Sequence, residues 1–294
     1  MAMATMQEIH PFVDSAELLA DAQALRDRAH QDGYLLLRGL LPEAEVLGMR
    51  ALVLEHCRAS QWLDESAPLM SARRCPGRDA VIECVHPEWR RFYRLLYTRR
   101  ELHAFNQHPR MLAAGAALFG GEVLAHARPI VRVMFPGSER FTTPPHQDCY
   151  YIGGTLDTWT AWIPLGDCPE ELGGLAVAAG SHLRGPQPVH SAEGAGGHAV
   201  AADDDLRWTS GPMRAGDVLL FHSCTIHQAR DNRTADQLRL SCDFRYQAAA
   251  EAVRADSLEP HVGIASWDEI YAGWASDDPL RRYWQRQQLN IQGG

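Results

Sequence analysis

Lysine is absent from this chain of 294 residues, in which all 28 basic residues are arginine. This absence excludes Schiff-base catalysis, a pyridoxal-phosphate anchor and a P-loop, because each of these depends on a lysine side chain. The seven cysteines are scattered and none forms a CxxC pair. An odd, scattered set argues against a disulfide framework and against a zinc ribbon. We therefore predict a reduced, cytoplasmic protein whose cysteines serve mostly as small buried hydrophobic residues.

Long apolar runs and an excess of positive charge are also missing. No stretch of about 18 uncharged apolar residues occurs, so no membrane-spanning helix is predicted. Residues 1–10 lack the basic region and apolar run of a secretion signal. The net charge of -9 makes nucleic acid a poor default partner. A hydrophobic content of 46% and a charged content of 22% are typical of a soluble globular protein with a sizeable core.

The first 119 residues favour a mostly helical layer. Their apolar residues recur mainly at helical spacing, interrupted by one short apolar run and one segment without clear periodicity. The pattern predicts, in order, a helix, a strand, a second helix opened by a proline, a long loop and a further helical region, at residues 15–31, 34–37, 42–57, 61–84 and 87–118.

The pattern changes after residue 120. Short β-branched and apolar runs alternate with Gly, Pro and Asp turns, and they predict strands at residues 130–135, 158–165, 175–178, 218–221 and 238–244. Several short strands separated by turns are typical of a sandwich, a barrel or a jelly roll. The glycine- and aspartate-rich segment 191–205 is expected to be a mobile surface loop.

The end of the chain favours helical segments that dock on the core through aromatic side chains. These aromatic residues are Trp267, Tyr271, Trp274, Tyr283 and Trp284. The chain shows no internal repeat and no clear linker, so we predict one mainly β domain with helical additions over residues 1–294. Its expected parts are a helical layer, a β core and a helical tail, at residues 1–119, 120–250 and 251–294.

The most informative motif is the HQD triplet at 146–148. On an extended segment residues i and i+2 point to the same face, so His146 and Asp148 can offer an imidazole and a carboxylate to one metal ion. Two ligands do not hold a catalytic metal, and a later strand supplies His222 and His227 as candidates for the third. Two histidines and one carboxylate on a triangular face are the ligand set of non-heme Fe(II) oxygenases.

A candidate carboxylate-binding pair follows further along the chain. Arg239 and Ser241 are two residues apart, so they present two polar groups on one strand face. An arginine fork is suited to binding a carboxylate through two hydrogen bonds. Arg239 taken alone also fits an ordinary ion pair, and only its position after His227 favours the ligand-binding role.

In this order, the motifs resemble the phytanoyl-CoA dioxygenase-like branch of the Fe(II)/2-oxoglutarate-dependent oxygenases. A lone HxD is common by chance, whereas HxD, then Gly-Asp-strand-His, then Arg-x-Ser is specific. The resemblance extends over most of the chain and is carried by DGYLLLRGLLPEAEV (32–46), HQD (146–148), AWIPLGDCPEELGGLAVAAGSH (161–182), GDVLLFHSCTIHQARDNRT (216–234) and RLSCDFRYQ (239–247).

The resemblance implies a double-stranded β-helix, or jelly-roll, cupin-like core flanked by N-terminal and C-terminal helices. It implies that Fe(II) is bound by His146, Asp148 and His227. The family pattern selects His227 over His222, because the distal histidine follows its strand. Arg239 would pair with the distal carboxylate of 2-oxoglutarate, the co-substrate that is consumed together with O2.

Further contacts are implied by the same resemblance. Ser241 would be a secondary contact to the distal carboxylate, and Thr160 would touch the co-substrate. Trp162 falls where the family usually has an aromatic residue that lines the pocket. Some family members use a lysine near 2-oxoglutarate, and in this chain Arg132 or Arg128 would take its place.

Arginines are unusually dense between residues 73 and 110. A solvated helix face explains such a cluster without any function. A sharper hypothesis is that Arg73 and Arg74, in the predicted loop, contact an anionic or carboxylate-bearing substrate.

We therefore predict a dioxygenase that oxidises, and in the first place hydroxylates, an unactivated C–H bond of a small-molecule metabolite. The reaction would be coupled to decarboxylation of 2-oxoglutarate to succinate and CO2. Desaturation, cyclisation and epimerisation by the same chemistry stay open as alternatives. A cupin-like metalloenzyme that does not use 2-oxoglutarate is a further alternative, and a jelly roll without turnover is disfavoured because no member of the triad is missing. The sequence does not indicate an oligomeric state.

Overall fold

The computed structural model of the protein describes residues 8–293, apart from residues 82, 85, 195 and 204. Its α-helices are α1 (Ala22–Asp32), α2 (Glu43–Ala59), α3 (Pro87–Tyr97), α4 (Arg100–Asn106), α5 (Pro109–Phe119), α6 (Cys149–Ile152) and α7 (Trp267–Ile270). Shorter 3-10 helices lie at Ala16–Ala20, Leu69–Ser71, Glu139–Phe141, Glu170–Leu172, Ser181–Arg184, Ala255–Leu258, His261–Gly263 and Tyr283–Arg286. Within the described part of the chain, no helix is both long enough and apolar enough to cross a bilayer.

The strands are short, except for one strand of ten residues in the second half of the chain. They are β1 (His10–Pro11), β2 (Tyr34–Leu37), β3 (Val123–Ala125), β4 (Ile130–Met134), β5 (Thr158–Pro164), β6 (Leu175–Ala179), β7 (Val189–Ser191), β8 (His198–Val200), β9 (Arg207–Ser210), β10 (Val218–His222), β11 (His227–Ala229), β12 (Arg239–Ala248), β13 (Ala252–Arg254) and β14 (Asn290–Gln292).

Two sheets form the β core. The large sheet has the order β2-β10-β5-β12-β3, and β4 also pairs with β12, whereas the small sheet has the order β1-β9-β6-β11. Trp162 and Leu219 of the large sheet share one apolar cluster with Leu175 and Val177 of the small sheet. The two sheets therefore face each other, which confirms the predicted jelly-roll core with helical additions.

Strand β12 explains how this core can carry a polar site. Leu240, Cys242 and Phe244 belong to the largest apolar cluster, which also contains side chains of the N-terminal helices. Because side chains alternate along a strand, the residues between them face the opposite side. That opposite face carries buried polar residues, namely Arg239, Ser241, Asp243 and Arg245.

Helix α1 of the N-terminal layer begins and ends at recognisable capping residues. The Asp21 carboxylate accepts hydrogen bonds from two backbone N–H groups of the first turn of α1, and α1 ends at Gly33 in the left-handed region (φ 68°). A Cβ at Gly33 would overlap the ring of His182. The predicted helical region 87–118 is divided into α3, α4 and α5, of which α3 and α5 begin with a proline.

The segment 191–205 differs from its prediction. Strands β7 and β8 pair in antiparallel fashion at its start, so a hairpin forms this part of the predicted surface loop. Three glycines with positive φ in the connection between these strands allow it to turn back. These glycines are Gly194, Gly196 and Gly197.

The C-terminal tail is less helical than predicted. Among its described residues, α-helix is limited to the single turn α7, and the remainder includes 3-10 turns and the parallel pair of β13 and β14. Pro260 and Pro279 interrupt any longer helix. The predicted docking through aromatic side chains is present, because Trp267, Tyr271 and Trp284 are buried in the largest apolar cluster.

Candidate functional site

Three candidate metal ligands come together where the HQD triplet pairs with the beginning of β11, namely His146, Asp148 and His227. The backbones of His146 and His227 exchange two hydrogen bonds, of 2.9 and 3.0 Å, and their rings lie 4.1 Å apart between centroids. Asp148 immediately precedes α6 and has helical backbone angles (φ -70°, ψ -24°). The spacing predicts one extended segment, but the triplet does not form one. The chain turns at Asp148 and still brings its carboxylate to the two histidines.

Backbone carbonyls orient both imidazoles. Nδ1 of His146 lies 2.8 Å from the carbonyl oxygen of Pro144, and Nδ1 of His227 lies 2.9 Å from that of Thr225. A neutral imidazole that donates its Nδ1 proton keeps the lone pair of Nε2 for a metal ion. The candidate ligand atoms of His146, Asp148 and His227 all lie within 4.8 Å of one another.

The carboxylate of Asp148 is buried and held by two side chains. Thr160 donates its hydroxyl hydrogen to Oδ2 over 2.5 Å, and Nη2 of Arg245 lies 3.4 Å from Oδ1. Burial by itself would raise the pKa of Asp148, but the charge of Arg245, the two histidines and the hydrogen bond from Thr160 together hold that pKa below its ordinary value. Asp148 is therefore an ionised, oriented carboxylate.

The two histidines are neutral at neutral pH. Burial, reinforced by the neighbouring His227, lowers the pKa of His146 to about 3. Burial also lowers the pKa of His227. Neutral imidazole is the form that binds a metal ion. Two neutral imidazoles and one carboxylate that converge in this way fit the ligand set of a non-heme Fe(II) centre.

A cavity of about 540 Å³ adjoins this cluster, and His146 and Asp148 form part of its wall. This volume is within the range of small-molecule sites. One part of the lining is cationic and consists of Arg128, Arg132, Arg239 and Arg245. Another part is apolar and includes Ile130, Val133, Met134, Phe135, Phe141 and Val262.

Arg239 lies in the cavity wall with its guanidinium only partly satisfied. Nη1 donates to the carbonyl oxygen of Gly173 at 3.0 Å, while the buried Nε has no hydrogen-bond partner among the described residues. The buried hydroxyl of Ser241, two residues along the same strand face, also has no partner there. Buried polar atoms are nearly always paired, so these two groups fit a carboxylate-bearing ligand such as 2-oxoglutarate.

Two residues predicted to contact the co-substrate already have protein partners. Thr160 is bonded to Asp148, as described above. Arg132 lies 2.9 Å from the carboxylate of Glu83 and also pairs with Asp243. These contacts make Thr160 a positioning residue for Asp148, and they leave Arg132 neutralised by two acids.

Three other predicted pocket residues lie outside the described cavity lining. Arg73 pairs with Asp64 at 2.9 Å, and Nη1 of Arg74 donates to the carbonyl oxygen of Pro136 at 3.4 Å. The structure thus argues against a substrate contact of Arg73 and Arg74. Trp162 is buried, and its ring centroid lies 5.7 Å from the guanidinium carbon of Arg239. The family resemblance predicts that Trp162 lines the cavity, but its ring instead packs against the guanidinium of Arg239.

Sequence reasoning missed several residues of the cavity. Arg245 shares its strand face with Arg239 and Ser241, so a period of two along β12 could have identified it. Glu83 and His261 also line the cavity, but no local pattern marks them because each comes from a distant part of the chain. His222 is not in the ligand cluster, and its Nδ1 accepts a hydrogen bond from the backbone of Cys224.

The fold and the site together define the class of the protein. A jelly-roll core brings two histidines and a carboxylate to the wall of a cavity, which is the arrangement of non-heme iron oxygenases. A partly unpaired arginine in the same wall fits a carboxylate-bearing co-substrate. The protein is accordingly a non-heme iron oxygenase.

Comparison with known proteins identifies the family. The family model described as phytanoyl-CoA dioxygenase (PhyH) matches residues 29–241, so the chain belongs to this family. The chain is 31% identical over 272 residues to a 1-deoxypentalenic acid 11-beta-hydroxylase of Streptomyces arenae, with coverage of 85% of this chain and 89% of that enzyme.

Solved structures agree with this assignment. The α-ketoglutarate-dependent epimerase SnoN from nogalamycin biosynthesis is 27% identical with a TM-score of 0.57, over 80% of this chain and 85% of that one. A second structure of SnoN, 25% identical with the same TM-score over 80% of this chain and 86% of that one, is a complex with Fe3+, α-ketoglutarate and nogalamycin RO. The predicted family, fold and cofactor class (Fe(II), 2-oxoglutarate and O2) are confirmed.

Proposed function

We propose that this protein hydroxylates an unactivated C–H bond of a small, mainly apolar metabolite, with His146, Asp148 and His227 as the Fe(II) ligands. Arg239 and Ser241 would hold the distal carboxylate of 2-oxoglutarate. One observation carries the proposal. Two imidazoles with their Nδ1 atoms engaged and an ionised carboxylate converge within 4.8 Å beside a cavity that contains an incompletely paired arginine.

The residues of this chain would contribute mainly orientation and charge. The carbonyls bonded to Nδ1 hold each imidazole and leave Nε2 available, so that the two histidines would bind the ion, and Thr160 and Arg245 hold the carboxylate of Asp148. The bound Fe(II) supplies the chemistry, in which 2-oxoglutarate is oxidatively decarboxylated to succinate and CO2 and one oxygen atom is transferred to carbon. Trp162 restricts the guanidinium of Arg239 from one side, which limits the positions that a bound co-substrate can take.

The apolar part of the cavity would hold the substrate and exclude water. Its aliphatic and aromatic side chains offer no hydrogen bonds that could orient a highly polar molecule, so a mainly hydrocarbon framework fits best. The similarity to a hydroxylase supports hydroxylation over the other reactions of this chemistry. A cytoplasmic location and the lack of a nucleic-acid partner stay predictions from composition.

Product analysis with labelled O2 tests the proposal. The protein would be reconstituted with Fe(II) and 2-oxoglutarate and offered 1-deoxypentalenic acid, followed by a panel of apolar small molecules. We expect substrate-dependent release of succinate and a product that gains one labelled oxygen atom. A product that lacks two hydrogen atoms would indicate desaturation or cyclisation, and a product of unchanged mass would indicate epimerisation. Turnover without succinate would contradict the proposal.

A further inference from the structure

We propose that Arg128, with His261 beside it in the cavity wall, forms a subsite for a carboxylate of the substrate itself, separate from the co-substrate subsite at Arg239. The inference rests on the proposed function, because it takes the cavity as the place where the substrate binds. It adds the class of substrate: an apolar framework that carries one carboxylate.

Arg128 lies in the short segment between β3 and β4 and lines the cavity together with His261. Its hydrogen bonding is sparse, because Nη1 donates to the carbonyl oxygen of Asp256 over 3.4 Å and no other hydrogen-bond partner of its guanidinium is found within the described residues. The buried Nε of Arg128 and the buried Nδ1 of His261 are both unpaired there. The side chain of Arg128 is 18% exposed, so part of the guanidinium remains accessible.

The other cationic residues of the wall differ from Arg128 in having assigned partners. Arg132 is neutralised by two carboxylates, as described above. Arg245 lies 3.4 Å from a carboxylate oxygen of Asp148. Arg239 is the group that we assign to 2-oxoglutarate. Arg128 is thus the arginine of the described lining for which neither a carboxylate of its own nor an assigned ligand is available.

The carboxylate nearest to Arg128 is already occupied. Oδ2 of Asp256 lies 3.7 Å from Nη1 of Arg128. The same carboxylate is bound through both of its oxygens by Arg254, at 2.6 and 2.8 Å. A bidentate pair of this kind is much stronger than a single long contact. Asp256 therefore belongs mainly to Arg254 and leaves Arg128 undercompensated.

A charge count around the cavity leads to the same conclusion. The cations are Arg128, Arg132, Arg239, Arg245 and Arg254, and the carboxylates are Glu83, Asp148, Asp243 and Asp256. One positive charge is left over. Bound Fe(II) and the dianion of 2-oxoglutarate cancel each other, so the surplus persists in the loaded site. An incompletely paired buried charge is costly, and one bound carboxylate would remove that cost.

The remaining lining defines the rest of the ligand. Ile130, only two residues from Arg128, and Val262, next to His261, are apolar neighbours of the subsite in the wall. A ligand anchored at Arg128 would therefore lay a hydrocarbon surface against them. A highly charged ligand such as a nucleotide does not fit a wall with a surplus of one positive charge.

The test uses two probes of the same shape, adamantane-1-carboxylate and adamantane-1-carboxamide. Each is titrated calorimetrically into the full-length protein after Mn(II) and N-oxalylglycine have filled the metal and co-substrate positions. We expect the carboxylate to bind more tightly than the amide. Arg128→Gln should weaken carboxylate binding about tenfold to a hundredfold, the loss expected for one charge-assisted hydrogen-bond pair, and should leave amide binding unchanged. Arg128→Lys should retain part of the affinity.

Variants of the competing pair separate this role from a structural one. Asp256→Asn removes the competing carboxylate and should strengthen carboxylate binding. Arg254→Gln releases Asp256 to pair with Arg128 and should therefore weaken carboxylate binding. Arg74→Gln, outside the described lining, is the matched control and should change nothing. Thermal unfolding of each variant shows whether it is folded.

Several results would overturn the subsite. In the unaltered protein, these results are equal binding of the two probes or no measurable binding of the carboxylate. In the variants, they are an equal effect of Arg128→Gln on both probes or weaker carboxylate binding in Asp256→Asn. Failure of the proposed function gives a different result, because N-oxalylglycine would then not bind to the Mn(II)-loaded protein. In that case the two probes are compared in the metal-free protein carrying Arg239→Gln.

Discussion

The candidate metal-binding cluster and the arginine-lined wall of the same cavity differ in how their buried polar groups are paired. In the cluster, the polar atoms that face away from the candidate metal position are paired within the protein, through two carbonyls, Thr160 and Arg245. In the wall, Nε of Arg239 has no partner among the described residues, and neither has the buried hydroxyl of Ser241, which is two residues along the same strand face but outside the cavity lining. Both groups lie on β12, next to the strand that carries Thr160.

The difference separates two tasks. A catalytic metal must be held in one geometry, so its ligands are oriented in advance by hydrogen bonds that do not change. A co-substrate and a substrate must enter and leave, so the groups that bind them are left available in the protein. Unpaired buried groups are costly to a folded protein, and here they mark where a ligand completes the structure. The following predictions test that division.

The largest effect is expected from removing a metal ligand. His227→Ala should lower Fe(II) affinity and the rate of succinate formation by more than about 100-fold, because loss of a direct ligand exceeds the 10–100-fold cost typical of an outer-shell change. His222→Ala, at the end of the preceding strand β10, is the matched control. Fe(II) titration under argon and a succinate assay measure both variants. An equal loss of Fe(II) affinity in the two variants would contradict the assignment of His227 as a metal ligand.

Removing a ligand-binding group of the wall should affect a different quantity. Arg239→Gln should weaken 2-oxoglutarate binding about tenfold to a hundredfold, the size of one lost charge-assisted interaction, while Fe(II) affinity stays unchanged. Arg74→Gln should alter neither. Titration of the Fe(II)-loaded protein with 2-oxoglutarate separates the two affinities. Loss of Fe(II) affinity in Arg239→Gln would show that the wall and the cluster do not act separately.

A smaller effect is expected from a residue that acts through Asp148. Thr160→Val removes the hydrogen bond to Oδ2 and should lower Fe(II) affinity about tenfold. Thr160→Ser keeps the hydroxyl and should restore most of the affinity. Thr158→Val, on the same strand face but bonded to Thr155 and Gln247, is the control that should cost stability without weakening Fe(II) binding.

Buried histidines outside the site should leave ligand binding unchanged and should affect only stability. His126 is buried against Gln247, and burial lowers its pKa to about 4 from an ordinary value of 6.5. Between these two pH values the unfolded chain takes up a proton that the folded protein does not. Stability should therefore fall as the pH falls through this window, by about 1.4 kcal/mol per pH unit for this histidine.

Urea unfolding of the protein and of His126→Gln between pH 4 and pH 6.5 measures this contribution. The variant should show a shallower dependence of unfolding free energy on pH, by about one proton. Identical slopes would contradict the assignment of a neutral buried imidazole at this position.

The core strands and the family are the parts that the sequence predicts well. Strands β5, β6 and β10 lie within a residue of their predicted bounds because alternating or wholly apolar runs end at clear turns. The order of HxD, distal histidine and Arg-x-Ser identifies the family because each motif is local. The surroundings of Thr160, Arg132 and Trp162 depend on contacts with residues that are distant in the chain. The sequence alone could not show these contacts.

The parts that differ from prediction depend on the same long-range contacts. In the hairpin, β7 is exposed throughout and only Ala199 and Val200 of β8 are buried, so the segment has no apolar periodicity that could reveal it. The density of arginines directs attention to Arg73 and Arg74, whereas Arg128 differs from the other arginines of the cavity wall in having neither a carboxylate of its own nor the ligand assigned to Arg239. That property depends on Asp256 and Arg254, more than 120 residues away.

The most direct test of the whole account is an anaerobic titration of the metal-free protein with Fe(II) and then 2-oxoglutarate, followed by visible absorption. We predict that the weak charge-transfer band of an Fe(II)–2-oxoglutarate complex appears only when both are present. Saturation should occur at one equivalent of Fe(II), and the band should be weaker in Arg239→Gln. Tight Fe(II) binding without a band at saturating 2-oxoglutarate would contradict the account and would indicate a cupin-like metalloenzyme that does not use this co-substrate.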